Sequence, residues 1–173
     1  IRELPDQQAL KVLALTGKAV GGQEALQMKV ADSIHTEEEL LPAAMALYEP
    51  LYGPFTTMDG TVQAATYRGR SADVKLAMAF GHSGDLEIEL IEWQGGESPH
   101  REFIERGREG IHHVQFRVED ADGWIGKVKP LGYEVIWYKR YSADTTFAYL
   151  ERRNDPTLIE FLQMPPGGPG SAA

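Results

Sequence analysis

The sequence predicts an α+β protein made of two copies of one β-α-β-β-β unit, with a helical extension ahead of the first copy. Two observations predict it. The first is a repeat without gaps at an offset of 71 residues: Tyr67 and Tyr138, Ser71-Ala72-Asp73 and Ser142-Ala143-Asp144, Ala77 and Ala148, Ile88-Glu89 and Ile159-Glu160. Self-similarity at a fixed period marks a repeated supersecondary unit whose copies build a joint core. The second is the order of patterns, since a helix-period stretch precedes three strand-period runs in each half.

Composition narrows the class. A chain of 173 residues is long enough for one domain, or for two small modules that share an interior. Its 17 basic and 26 acidic side chains give a net charge of −9, which argues against a phosphate-tracking surface and hence against nucleic acid. No apolar run approaches the roughly 18 residues of a membrane span, and no leader pattern opens the chain, so a cytoplasmic protein is expected. With no cysteine, disulfides, thiolate zinc sites and cysteine nucleophiles are excluded, and any metal must be held by His, Asp, Glu, Gln or water.

Taken in order, residues 1–23 form the extension, with Leu10, Val12, Leu13, Leu15 and Val20 suggesting a short helix over 7–20. The first unit covers 24–97. Residues 24–34 read as helix followed by strand, and Thr36-Glu37-Glu38-Glu39 is a capping box that starts a helix over 37–51, stopped by Gly53-Pro54. Strands follow near 62–68, 73–80 and 85–93, the last two joined through His82-Ser83-Gly84-Asp85. Residues 98–109 are a connector, with a short helix started by Ser98-Pro99. The second unit, 110–164, reads as a strand over 111–118, a helix over 121–131 closed by Gly132, and strands near 133–139, 145–151 and 157–163. The Pro- and Gly-rich residues 165–173 form a tail that cannot pack a core.

Strand alternation sorts the candidate site residues. In the run from His112 to Val118, the apolar set Val114, Phe116 and Val118 faces the covering helix, which leaves His113, Gln115 and Arg117 on the other face. A lone histidine on a strand is more often structural than a ligand, and alternation favours His113 over His112 as the one that reaches a polar cavity. Glu160 is the only charge in Leu158-Ile159-Glu160-Phe161-Leu162, and a carboxylate buried there needs a partner. Glu89 stands among other acids, Glu87 and Glu92, as on a solvated strand face, but only Glu89 is equivalent to Glu160 under the repeat.

These residues resemble the vicinal oxygen chelate superfamily, which includes glyoxalase, methylmalonyl-CoA epimerase, extradiol dioxygenases and bleomycin-resistance-type binding proteins. Its paired β-α-β-β-β modules curl into an open-sided mixed β-barrel around a divalent metal. Gly110-Ile111-His112-His113-Val114 is similar to the family's Gly-x-His-His-hydrophobic strand, whose second His is the usual ligand, and Glu89 and Glu160 are similar to its two strand-end carboxylates. In glyoxalase and the epimerases a fourth ligand, His or Gln, comes from the first strand of the first module. Here the aligned position is Lys29, which is no ligand. Gln27, two residues earlier and on the same face of a strand, is the nearest ligand type, and His35 is the other candidate; both also read as ordinary surface residues. Leu15-Thr16-Gly17-Lys18-Ala19-Val20, Glu24-Ala25-Leu26 and Val30-Ala31-Asp32 also resemble the C-terminal part of enoyl-CoA hydratase-type crotonases, which would make Gln27 follow a helix.

The resemblance implies a metal held by Glu89, His113, Glu160 and Gln27, in an oxygen-rich set suited to Mn, Co, Ni or Mg and tolerant of Zn. It also implies Glu160 and Glu89 as the acid/base pair of an isomerase, epimerase or lyase that moves a proton next to a carbonyl, acting on a small molecule as a homodimer. A metal-free binding protein with a ligand against Trp137, Tyr138, Tyr141 and Phe147 is the alternative. An extradiol-type dioxygenase is disfavoured, because the position of Glu89 would then be expected to hold His.

Overall fold

Runs of alternating apolar and polar residues carry most of the chain after Pro54 into strands. The structure is a computed structural model that describes residues 22–28, 33–108 and 110–165. The chain divides into two compact units, Ile1–Ala43 and Ala44–Ala173, with the division inside a helix. In the first unit, α1 (Gly22–Gln27) precedes the start of α2 (Glu37–Tyr52). The capping box forms as expected, for the Glu39 carboxylate accepts from the Thr36 N–H at 3.0 Å. That hydrogen bond holds the Glu39 carboxyl below its ordinary value.

The expected strand within 24–34 is corrected in part: Gln27 is the last residue of α1, and 33–36 are not in a strand. Residues 29–32, the helix expected over 7–20 and the tail beyond Pro165 lie outside the described residues.

The second unit is a curled, mixed eight-stranded sheet with helices. Its strands are β1 (Thr56–Asp59), β2 (Val62–Tyr67), β3 (Arg70–Ser83), β4 (Leu86–Gly96), β5 (His113–Arg117), β6 (Tyr133–Arg140), β7 (Thr146–Arg152) and β8 (Leu158–Gln163). β1, absent from the sequence-based expectation, continues β2 across Gly60-Thr61, since both pair antiparallel with β3 on the side away from β4. The β2–β3 hairpin turns at Arg68-Gly69, both with positive φ (45° and 78°), the two-residue geometry that matches strand twist. The two halves join where β2 meets β6, Thr66 opposite Tyr138 and Tyr67 opposite Trp137. From there the sheet runs through β7 and β8 to β5, which lies parallel to β8.

Two further helices lie between strands, α3 (Pro99–Glu105) in the connector and α4 (Ala121–Val128), the latter extended by a 3-10 turn that ends at Gly132 with φ 86°. α4 covers one face of the second half, where Ala148, Leu150 and Phe161 pack with Ala121, Ile125 and Val128. Val118 joins this cluster, and Val114 and Phe116 lie on the same face, opposite Ile159 and Phe161, as expected, but stay 45% and 48% exposed. On the other face, Val62, Tyr67, Leu76, Trp137, Phe147 and Tyr149 form the core shared by both halves.

The C-terminal end of α2 is seated on β3 at Gly81. A Cβ there would lie 2.4 Å from the Tyr52 carbonyl oxygen and 2.6 Å from the Phe55 ring. Gly81→Ala should therefore cost about 1–3 kcal/mol, read as a lower urea midpoint with unchanged slope; an unchanged midpoint would show that the helix end moves freely off the strand.

Candidate functional site

Three adjoining strands set the site. Along β8, Ile159 and Phe161 turn to α4, so Glu160 and Leu162 turn to the opposite face, where they line a cavity of about 230 Å3. β7 follows the same parity, with Phe147 and Tyr149 in the cavity and Ala148 and Leu150 under the helix. Since β5 runs parallel to β8 with Gln115 opposite Glu160, Gln115 lines the cavity and His113, two residues earlier, lies on the same face. From the first half, β4 contributes Glu87 and Glu89. Leu76, Met78, Phe80, Trp137 and Phe147 make the walls largely apolar.

His113 is wedged between the two repeat-related carboxylates. Its Nε2 lies 3.2 Å from Glu160 Oε2 and 3.4 Å from Glu89 Oε2, with the Tyr149 hydroxyl at 3.3 Å. All three groups are withdrawn from water, the side chains of His113, Glu160 and Glu89 being 8%, 7% and 17% exposed. The other ring nitrogen, Nδ1, sits 3.0 Å from Nδ1 of His112, which fixes the direction in which Nε2 points.

The electrostatics follow from that burial. Desolvation works against the His113 imidazolium, but the flanking Glu160 and Glu89 carboxylates more than offset it and raise the group to about 9. Burial pushes the Glu89 carboxyl up, with the Glu160 charge adding and His113 opposing. The Tyr149 phenol is held well above its ordinary value by burial and by both carboxylates, so it stays a neutral donor. His112 is pushed down to about 4, by burial and then by the charge of His113.

Two candidate donor groups meet at His113: His100, His112 and His113 offer ligand atoms that all lie within 4.8 Å of one another, and the two carboxylates each stand beside the His113 Nε2. Adjacent ligand atoms around an ion bonded at about 2.1 Å stand about 3.0 Å apart at right angles and about 3.4 Å apart in a tetrahedron, the range of the two His113–carboxylate separations. Two buried acids beside one imidazole also carry the negative charge that a cation would neutralise. The other two candidate ligands are Gln27 and His35. Both are exposed residues of the first unit, Gln27 at the end of α1 and His35 with its Nε2 2.9 Å from Ser33 Oγ.

Of the aromatic residues expected to meet a ligand, Trp137, Tyr141 and Phe147 line the cavity. Tyr138 is corrected: it packs on the α4 side and donates to Asp122 at 3.2 Å. Sequence reasoning missed His100 and Tyr149. His100, in α3, lines the cavity and stacks on His112 with ring centroids 4.5 Å apart. The Ser98-Pro99 helix start was legible, but no repeat partner singles out His100. Tyr149 carried a signal, as it lies two residues after Phe147 on the same strand face.

A family model described as the Glyoxalase/Bleomycin resistance protein/Dioxygenase superfamily matches residues 39–149. Among solved structures, a hypothetical protein from Bacillus halodurans C-125 is 24% identical, with 75% of this chain and 86% of that chain covered at a TM-score of 0.47. No curated protein matches the chain.

The raised His113 gives a pH dependence of stability. In the unfolded chain an imidazole titrates near pH 6.5, so below that pH the contribution of the protonated ring is fully present. It is lost as pH rises through about 9, the folded value. In chelator, the melting temperature should fall between pH 6.5 and 9 by the equivalent of roughly 3 kcal/mol, and His113→Asn should flatten that stretch. Calorimetry across this range checks it; an equally steep fall in the variant would place the titration elsewhere.

Proposed function

We propose, on the premise that this chain belongs to the glyoxalase/bleomycin resistance protein/dioxygenase superfamily, that it is a divalent-metal-dependent isomerase, epimerase or lyase that moves a proton at the carbon next to a carbonyl. The observation that carries this reading is that the Glu89 and Glu160 carboxylates, which line an apolar cavity, both stand against the His113 Nε2. These three side chains would hold the ion, which when bound supplies Lewis acidity toward the negative charge that develops on a substrate oxygen.

The chain's own groups supply the rest. Glu160 removes the proton from the acidic carbon, and Glu89 returns it. Tyr149, a neutral donor beside His113, orients the polar end of the substrate. Leu76, Trp137 and Phe147 exclude water and favour a small carbonyl compound or thioester with an apolar body. A homodimer goes with this reading. No helix among the described residues is long and apolar enough to cross a membrane.

One observation favours a second reading. Trp137, Tyr141 and Phe147 line the same cavity, and a metal-free protein that binds an aromatic molecule would use that wall. Metal analysis of protein purified without chelator separates the two. The enzyme reading expects about one divalent ion per chain, of the kinds that oxygen-rich sites take, and no ion even after metal addition would leave only the binder.

Glu160→Gln should lower deuterium exchange at the acidic carbon of an accepted substrate by about 10²–10⁴-fold, measured by proton NMR on metal-loaded protein. Unchanged exchange would remove Glu160 as the base.

A further inference from the structure

The sheet face that carries the carboxylate cavity holds a second compartment, set apart from the first by α3. Along β8, Glu160 and Leu162 line the first cavity and Leu158, on the same face, lines the second. Along β7 the division falls between Tyr149 and Glu151. α3 gives His100 to the first cavity and Pro99, Glu102 and Phe103 to the second. The second compartment measures about 390 Å3, within the range of small-molecule sites.

Its lining runs against the charge of the chain. The net charge is −9, yet Arg68, Arg106, Arg108, Arg152 and Arg153, half of all the arginines, surround this one compartment. Three of them are engaged by acids: Arg68 by Glu102 and Glu151, Arg106 by Glu102, and Arg152 by Asp155. The other two are not. Arg108 donates to the Pro156 carbonyl at 3.0 Å, which leaves most of its five N–H donors over. Neither Arg108 nor Arg153 pairs with an acid among the described residues, and both are exposed. Against these two guanidiniums stands one lining carboxylate without a cationic partner, Glu134, opposite Glu151 across β6 and β7. Phe103, Ile136, Leu158 and the His112 ring add an apolar and aromatic floor.

We propose that this compartment binds a small aromatic anion, a phosphate ester or a carboxylate, with its ring on Phe103 and its charge on Arg108 and Arg153. A guanidinium fork matches the paired oxygens of either anion, and the floor suits a flat apolar ring. None of this depends on the metal-dependent reading, since neither Glu89, Glu160 nor His113 lines the compartment.

The test titrates the full chain with phenyl phosphate, benzoate and benzyl alcohol by calorimetry, at low salt and with chelator present so that no ion captures the anion. Phenyl phosphate or benzoate should bind once per chain at about 1 mM or tighter, the tighter of the two naming the anion. Benzyl alcohol, which keeps the ring without the charge, should bind at least about 10-fold more weakly. Arg108→Gln combined with Arg153→Gln should weaken the anion by about 10–100-fold. In wild type, NMR should show the bound anion shifting the ring resonances of Phe103 and His112, a readout that holds even where the double variant fails to fold. The proposal is overturned by no saturable binding of either anion, by benzyl alcohol binding as tightly, or by undiminished affinity in the folded double variant. Shifts confined to residues outside this compartment overturn it as well.

Discussion

The pairing of β2 with β6 is the constraint on which the second unit depends. Tyr138 is the 71-residue equivalent of Tyr67, and Trp137 that of Thr66. Thr66 opposite Tyr138 and Tyr67 opposite Trp137 are therefore one contact made twice, related by an approximate two-fold axis through the junction. From the junction, antiparallel pairings carry each half outward in different registers, with Glu89 of β4 opposite Phe80 and Glu160 of β8 opposite Tyr149. Glu89 and Glu160 still share a cavity although they belong to different halves. Arg68 reinforces the junction through bidentate contacts to Glu151 of β7, at 2.8 Å, and to Glu102 of α3. Both carboxyls are held below their ordinary values by this guanidinium. Charges this exposed are screened by water, so the network matters more for geometry than for stability.

Much of this was legible because strand periodicity and the repeat are local properties. Alternation alone separated His113, which faces the carboxylates, from His112, and the repeat chose Glu89 from among the acids of β4. What escaped depends on tertiary contacts. β1 has no counterpart in the repeat, because the equivalent positions 127–130 fall in α4 and its 3-10 extension. Val114 and Phe116 have the apolar alternation of covered residues, yet they stay about half exposed. Tyr138 has the aromatic character of a ligand wall but the strand parity of the helix face. His100 acquires its place only because the connector folds over the cavity.

The charges around His113 explain why this site, rather than any exposed cluster of acids, is the one to expect a cation. An ionised pair withdrawn from water loses more hydration than its attraction returns unless further contacts complete it. One imidazolium beside two carboxylates balances at most one of them. The remaining charge is held down by raising the Glu89 carboxyl, which costs binding energy for its proton whenever that proton leaves. On the metal-dependent reading proposed above, a divalent ion would neutralise both acids and displace the His113 proton, so that metal uptake would be linked to proton release.

The symmetry that brings the carboxylates together also leaves the site unequal. In the second half β5 lies beside β8, so Glu160 has Gln115 opposite it and His113 one pair further along the same face. In the first half Glu89 has β3 on one side, with Phe80 opposite, and no described strand on the other. Donors consequently crowd toward β5 and β8. The first half faces the same cavity with the apolar wall of Leu76 and Met78, so Glu160 is backed by the His113 strand while Glu89 stands opposite Phe80 among apolar neighbours.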